Sequence, residues 1–269
     1  MRGVVAAGMV SALEDLGLTR SFDGVFGSSA GAICGAYFLA RQTALGASIY
    51  SENINNSRFA SRLRLFLGQP IVNLDYLVNE VMVRDKTLDT DAVLSSPTPL
   101  AVLATDVDSG LSMLLRDFAS GDELRQALRA GSTMPVVAGE PHPFRGHRYF
   151  DASLSEPIPL RAAEEEGFTH IVVLLTRPKG IPRGVSWFDR LIVAPRLGRV
   201  SRPLCDRFLS RSAPYAALQD QIASGVTKSG RAVLLGIRPG LLVRKLEQDR
   251  ATLLSGAASG YEAVLATLG

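Results

Sequence analysis

Cysteine, histidine, lysine and tryptophan are all scarce in this chain of 269 residues, which has two, three, four and one of them. The two cysteines, Cys34 and Cys205, cannot build a disulfide framework, so a reducing cytosol is the expected compartment. No histidine follows His170, and the last third of the chain therefore offers no imidazole as a late general base. The sequence also lacks a cluster of metal-ligand spacing, an internal repeat, a low-complexity tract and a clear linker. No apolar run reaches the roughly 18–20 residues that a membrane span requires. The opening MRGVVAAGMVSALEDLG is broken by Glu14 and Asp15 and reads as an amphipathic helix rather than a signal peptide. Overall charge is a weak +3. One stretch departs from it: Arg177 to Arg211 holds nine basic residues against two aspartates, a net of +7. Such a segment suits a solvated arginine-rich face or contact with anionic head groups. Nucleic-acid binding would explain this segment and nothing else in the chain.

What is present is apolar material enough for a core. Hydrophobic residues make up 46% of the chain, which excludes intrinsic disorder. The length fits a single domain, residues 1–269, with its chemistry-bearing core over about 1–177 and a helical, basic part from about 178. Apolar spacing predicts helices at Gly3–Leu16, Ala30–Ala40, Gly121–Ala130 and Gln248–Leu268, and an interrupted one over Ile49–Leu67. Leu74–Val83 is a further helix candidate, Pro157 and Pro159 open another that runs to Glu166, and two or three more fall between Val185 and Ser224. Strands are predicted within Phe22–Ser29, at Leu100–Thr105 with Leu111–Asp117 answering as a hairpin, at Tyr149–Asp151 after a proline-rich loop (Met134–Arg148), at His170–Thr176 as the clearest buried strand, and at Ala232–Ile237. Alternating strands and helices, with continuous apolar strands, argue for an α/β fold with a parallel-rich sheet between helices.

One motif carries chemistry. Gly27-Ser28-Ser29-Ala30-Gly31 has the form G-x-S-x-G, directly after an apolar strand and before an apolar helix. This order makes a sharp strand-to-helix turn that lifts one serine above the sheet. Gly27 and Gly31 are expected to remove side chains that would clash there. Ser29 would sit at a helix N-terminus, where backbone N–H groups favour developing negative charge. A serine alcohol needs a base. His142 and His147 lie in the proline-rich loop, and His170 opens a strand. Asp151, at a strand end and followed by the small Ala152 and Ser153, is the better base, since a carboxylate in reach of a hydroxyl can take its proton directly. Asp106 and Asp108 lie in a hairpin turn, where aspartate commonly bonds its own backbone.

At this point the sequence resembles the patatin-like lipid acyl hydrolases. The likeness rests on an R-G-V helix start, the GSSAG elbow, LATDVDSG (Leu103–Gly110), GSTMPVVAGEP (Gly131–Pro141) and YFDASLSEPIPL (Tyr149–Leu160), in the family's order, and covers about residues 1–177. The resemblance implies a three-layer α/β sandwich with a mostly parallel central sheet and helices on both faces. It implies a dyad without histidine, Ser29 as nucleophile and Asp151 as base, that needs no metal or cofactor and cleaves acyl esters of phospholipids or other lipids. Arg2 and Gly3 would be the last residues of an oxyanion-forming G-G-G-x-R-G loop. The chain departs from the family at Ala152, where glycine is usual. It departs again at the start, because Met1 falls on the loop's variable position. An in-frame upstream extension of roughly 10–20 residues, a strand of typical length plus a leader and glycines, is expected, with the chain from Met1 weakly active. The expected partners are a lipid substrate and, peripherally, an anionic membrane met by the Arg177–Arg211 segment with Trp187 and Phe188. The alternatives are a non-catalytic lipid-binding member of the fold and an α/β-hydrolase esterase that uses a histidine.

Overall fold

The computed structural model describes residues 1–181 and 184–269. Two residues of the basic segment, 182 and 183, lie outside the described residues. The chain opens on α1 (Gly3–Asp15), which ends where Gly17 takes a left-handed backbone, and continues through β1 (Val25–Ser28), α2 (Ala30–Leu39) and α3 (Thr43–Glu52). A 3-10 turn (Arg62–Leu67) and a π-type helix (Tyr76–Asp85) lead to α4 (Thr90–Leu94). There follow β2 (Leu100–Asp106), β3 (Ser112–Leu115), α5 (Gly121–Ala130), β4 (His142–Phe144), β5 (His147–Asp151), α6 (Leu160–Glu165) and β6 (His170–Leu174). The remainder is α7 (Ala194–Val200), α8 (Arg202–Ser210), α9 (Ser212–Ser224), β7 (Val233–Ile237) and α10 (Arg250–Leu268).

The fold is α/β with helices on both faces of a central sheet. Every residue of β2 is buried, as a strand covered on both faces must be. Leu100, Val102 and Ala104 join one core with α1, α2, α3, α5 and α10. Leu103 points the other way, into a cluster with Ala152 and Ala162 of α6. Beyond it Val107, Phe150 and Leu154 pack with residues of α7 and α8. The parallel pairings are β1–β2 and β6–β7, while β3, β4 and β5 join antiparallel through short connections.

Register fixes one further point. β3 pairs with Val102–Thr105 along one edge of β2. β1 pairs with Leu100–Leu103 and β5 with Ala104–Asp106. Both overlap the span of β3, so both must lie along the opposite edge. β1 and β5 therefore meet end to end beside β2, with Ser28 opposite Leu103 and Asp151 opposite Ala104.

Three predicted elements differ in the structure. The helix over Ile49–Leu67 stops at Glu52, because Asn56 takes over the local backbone: its Oδ1 accepts from Arg58 N–H (2.9 Å) and Phe59 N–H (3.1 Å), and its Nδ2 donates to Asn53 C=O (2.6 Å). The loop from Met134 to Arg148 contains the β4–β5 hairpin, turned at Arg145 and Gly146, both at positive φ. β6 is half-buried with an exposed His170, since it ladders only with β7.

Candidate active site

The elbow forms as its residues dictate. Ser29 has φ 54° and ψ −129°, between the last residue of β1 and the first of α2. A non-glycine residue held there stores strain of order ~1–3 kcal/mol, which persists only where the surroundings impose it. Here the cause is visible in the ladder. Asp151 already occupies the next place on β2 after Ser28, so the chain must leave the sheet at Ser29. Gly27 permits the departure: a Cβ on it would lie 2.2 Å from Ala32 Cα and 2.5 Å from Ala32 N. Gly31 does not have that role. A Cβ there meets open space, because the first turn of α2 faces away from neighbouring chain at that point. Gly27→Ala is expected to force α2 from the sheet at a cost of about 1–3 kcal/mol, lowering Tm by roughly 3–10 °C. Gly31→Ala should leave Tm nearly unchanged in the same thermal melt.

Asp151 is 1% exposed. Its register partner Ala104 faces the α1 and α2 side of the sheet, so the carboxylate lies on the face that α2 covers. Its backbone is held from two directions: its N–H donates to Thr133 C=O (2.9 Å), and Thr105 Oγ1 donates to its C=O (2.9 Å). One carboxylate oxygen accepts from Ser153 N–H at 2.7 Å. The other, Oδ2, takes no hydrogen bond among the described residues, and neither does Ser29 Oγ. Ser28 and Asp151 thus take successive places along one edge of β2, one residue step apart, and Ser29 follows Ser28 directly into α2. Ala152, where the family pattern has glycine, causes no strain. Its φ is not positive, and its methyl packs with Leu103 and Ala162 on the opposite face.

The helix end beside Ser29 supplies donors. Ser29 C=O accepts from Ala32 N–H at 2.9 Å, and the N–H groups ahead of it are those a helix N-terminus leaves free. Gly3 touches the same place: a Cβ on it would lie 2.5 Å from Ala30 Cβ and 2.2 Å from the Tyr50 hydroxyl. Arg2 and Gly3 therefore begin α1 against the residue after the serine. Cys34 is sealed beneath, between Gly3 C=O and Tyr50. Burial pushes its thiol up to about 12, so it is inert.

The three histidines are engaged elsewhere. His142 Nε2 bonds Gln126 (2.9 Å) and its Nδ1 lies on Arg129. Burial, helped by that guanidinium, pulls its imidazole down to about 4. His147 lies at the far end of β5, four residues or about 13 Å before Asp151, with Nδ1 on Asp106 Oδ2 at 3.3 Å. Among the described residues the His170 ring bonds only its neighbour Thr169. Asp106 ties its own turn, accepting from Ser109 N–H (2.7 Å) and Oγ (2.6 Å). Burial opposes its ionisation, but these bonds and His147 outweigh it and hold its carboxyl below the usual range. Thr105 and Thr133, which anchor Asp151, were not singled out in the sequence. The only signal was their place in LATDVDSG and GSTMPVVAGEP. In the basic segment, Arg211 is buried, paired with Asp189 at 2.6 Å, so it belongs to the packing and not to a solvated face.

A family model described as patatin-like phospholipase matches residues 1–164. The uncharacterized protein YjjU of Escherichia coli (strain K12) is 25% identical over 202 residues, 71% of this chain and 53% of that protein. Patatin-like phospholipase domain-containing protein 2 of Rattus norvegicus is 31% identical over 163 residues, 59% of this chain and 33% of that protein. Its Homo sapiens counterpart is 29% identical over 161 residues, 59% of this chain and 31% of that protein. The chain thus spans about half the length of the first of these relatives and about a third of the others.

Proposed function

The chain belongs to the patatin-like phospholipase family, and from that premise we propose that it is a serine acyl hydrolase acting on lipid esters through a Ser29–Asp151 dyad. Family membership points to lipid acyl hydrolysis. The assignment to these two residues is supported above all by one observation: Ser29 sits at a strained elbow directly after Ser28, which stands one register step from Asp151, a buried carboxylate with a free oxygen on the face that α2 covers.

In the proposed cycle Ser29 Oγ attacks the ester carbonyl while its proton passes to Asp151 Oδ2. The carbonyl oxygen becomes an oxyanion facing the free N–H groups that open α2, beside Gly3. The C–O bond to the alcohol breaks, and Asp151 returns the proton to the departing oxygen. An acyl-enzyme on Ser29 remains. Water then gives a proton to Asp151 and attacks the acyl carbon. Collapse of that second intermediate frees the fatty acid, and the proton returns to Ser29. The proton balance closes over the two halves with no cofactor. One domain is proposed for residues 1–269, because Leu253 and Val264 of α10 are buried in the same core as α1. No helix among the described residues is long and apolar enough to cross a membrane, and contact with lipid is proposed at the surface.

The test is hydrolysis of a nitrophenyl ester and a phospholipid by a variant with His142, His147 and His170 all replaced by glutamine, assayed with EDTA present. The dyad predicts kcat/KM within a few-fold of the unsubstituted chain. A loss of about 10²-fold or more, the scale of a lost general base, would favour the histidine-dependent esterase. Loss only with EDTA would point to a metal.

A further inference from the structure

The five most exposed large apolar side chains among the described residues fall in two places. Phe66 is 86% exposed, Leu67 73% and Leu63 72%, all in the 3-10 turn Arg62–Leu67. Trp187 and Leu191 form the second group. In a 3-10 turn, residues three apart eclipse, so Leu63 and Phe66 share a ridge with Leu67 beside them. Soluble surfaces seldom present three such neighbours together without a partner.

Charge accompanies the apolar tip. From Asn53 to Leu74 the chain has three arginines, Arg58, Arg62 and Arg64, and no acidic residue. Arg58 is paired with Glu80. Arg62 and Arg64 have no ion pair among the described residues, and Arg64 only bonds Arg58 C=O at 2.9 Å.

The turn is also tied to the candidate site. Val72 N–H donates to Val137 C=O at 2.7 Å, and Pro70 lies against Gly139. The loop holding Val137 and Gly139 starts at Thr133, whose C=O anchors Asp151. Val136 of that loop packs on the same cluster as Phe188, next to Trp187. Neighbours of both apolar groups thus contact or share a cluster with the loop that leads into Asp151.

We propose that Arg62–Leu67 is a membrane-inserting turn, its Leu63, Phe66 and Leu67 entering the acyl boundary of an anionic phospholipid surface while Arg62 and Arg64 meet head-group phosphates. Three side chains on a protruding six-residue turn are too few for the roughly 1,000 Å² or more that a stable protein interface buries. They suit a shallow insertion, where apolar area and basic charge add. The purpose of the contact, delivering lipid to Ser29, rests on the hydrolase reading. The contact itself does not.

The experiment uses vesicles of phosphatidylcholine with phosphatidylserine as the minor lipid. The variant Leu63→Ser with Phe66→Ser and Leu67→Ser is expected to bind them about tenfold or more weakly, given the apolar area removed, while hydrolysing a soluble short-chain ester as before. Arg62→Gln with Arg64→Gln should weaken binding roughly fivefold per residue. In a Trp187→Phe background, Phe66→Trp should be quenched by lipids brominated on their acyl chains. Unchanged vesicle binding by the triple variant, absence of binding by the parent chain, or an unquenched Trp at 66 overturns the proposal. So does a triple variant that only changes from dimer to monomer in sedimentation, which would assign the face to a second copy. If the parent hydrolyses no ester but the triple variant still loses vesicle binding, the hydrolase reading fails and the insertion stands.

Discussion

Ser29→Ala is expected to lower kcat/KM on a nitrophenyl ester by at least about 10³-fold, the scale on which loss of a nucleophile acts, with the thermal melt almost unmoved. Ser29 Oγ makes no hydrogen bond among the described residues, so its removal strands no partner. Alanine carries the same Cβ through the strained φ of 54° as serine does, and the change in stability should stay within about 0.5 kcal/mol. A structural N-cap would behave in the opposite way, costing about 1 kcal/mol on truncation and leaving turnover alone. Ser28→Ala is the control. Its place in the ladder opposite Leu103 gives it no part in attack, and its activity should hold.

The second large effect is at Asp151. Asp151→Asn keeps the size of the side chain and, through Oδ1, the bond from Ser153 N–H. It removes the ability to take a proton from Ser29 or water. Activity should fall by about 10²–10⁴-fold, the usual contribution of a general base, while the fold persists. Asp151→Ala separates position from chemistry, because it also loses the Ser153 bond and should cost a further ~0.5–2 kcal/mol of stability. An Asn variant that turns over at the parent rate would remove Asp151 from the mechanism and leave its burial as a matter of packing.

Much of the candidate site was legible because its signals are local. The order apolar strand, small residues, apolar helix marks the elbow at Gly27–Gly31, and the capped, amphipathic α5 matches its predicted span residue for residue. Asp151 stood out for a local reason too, a carboxylate between two aromatics and two small residues. What escaped was set by distant parts of the chain. That β1 and β5 abut on one edge of β2, which makes the elbow necessary and sets Asp151 one ladder place beyond Ser28, is a property of register between segments about 120 residues apart in sequence. The β4–β5 hairpin carried only half of a turn signal: Gly146 suits its positive φ, but Arg145 before it, at φ 47°, is not a residue that marks such a turn. β6 read as fully buried from its apolar run alone, and only its pairing with β7 shows why one side stays open. Gly31 differs from its expected part for a similar reason: the motif says that a small residue stands there, and only the packing says that nothing lies against it.

The proposed cycle stands on Ser29 as nucleophile and Asp151 as the group that activates it. The most direct measurement is labelling by a fluorophosphonate probe, with the modified residue located by peptide mass spectrometry. A single adduct on Ser29, no label on Ser29→Ala, and a labelling rate on Asp151→Asn reduced with its hydrolysis are expected. A parent chain that hydrolyses ester while Ser29 stays unlabelled, or an adduct on another serine, would contradict it.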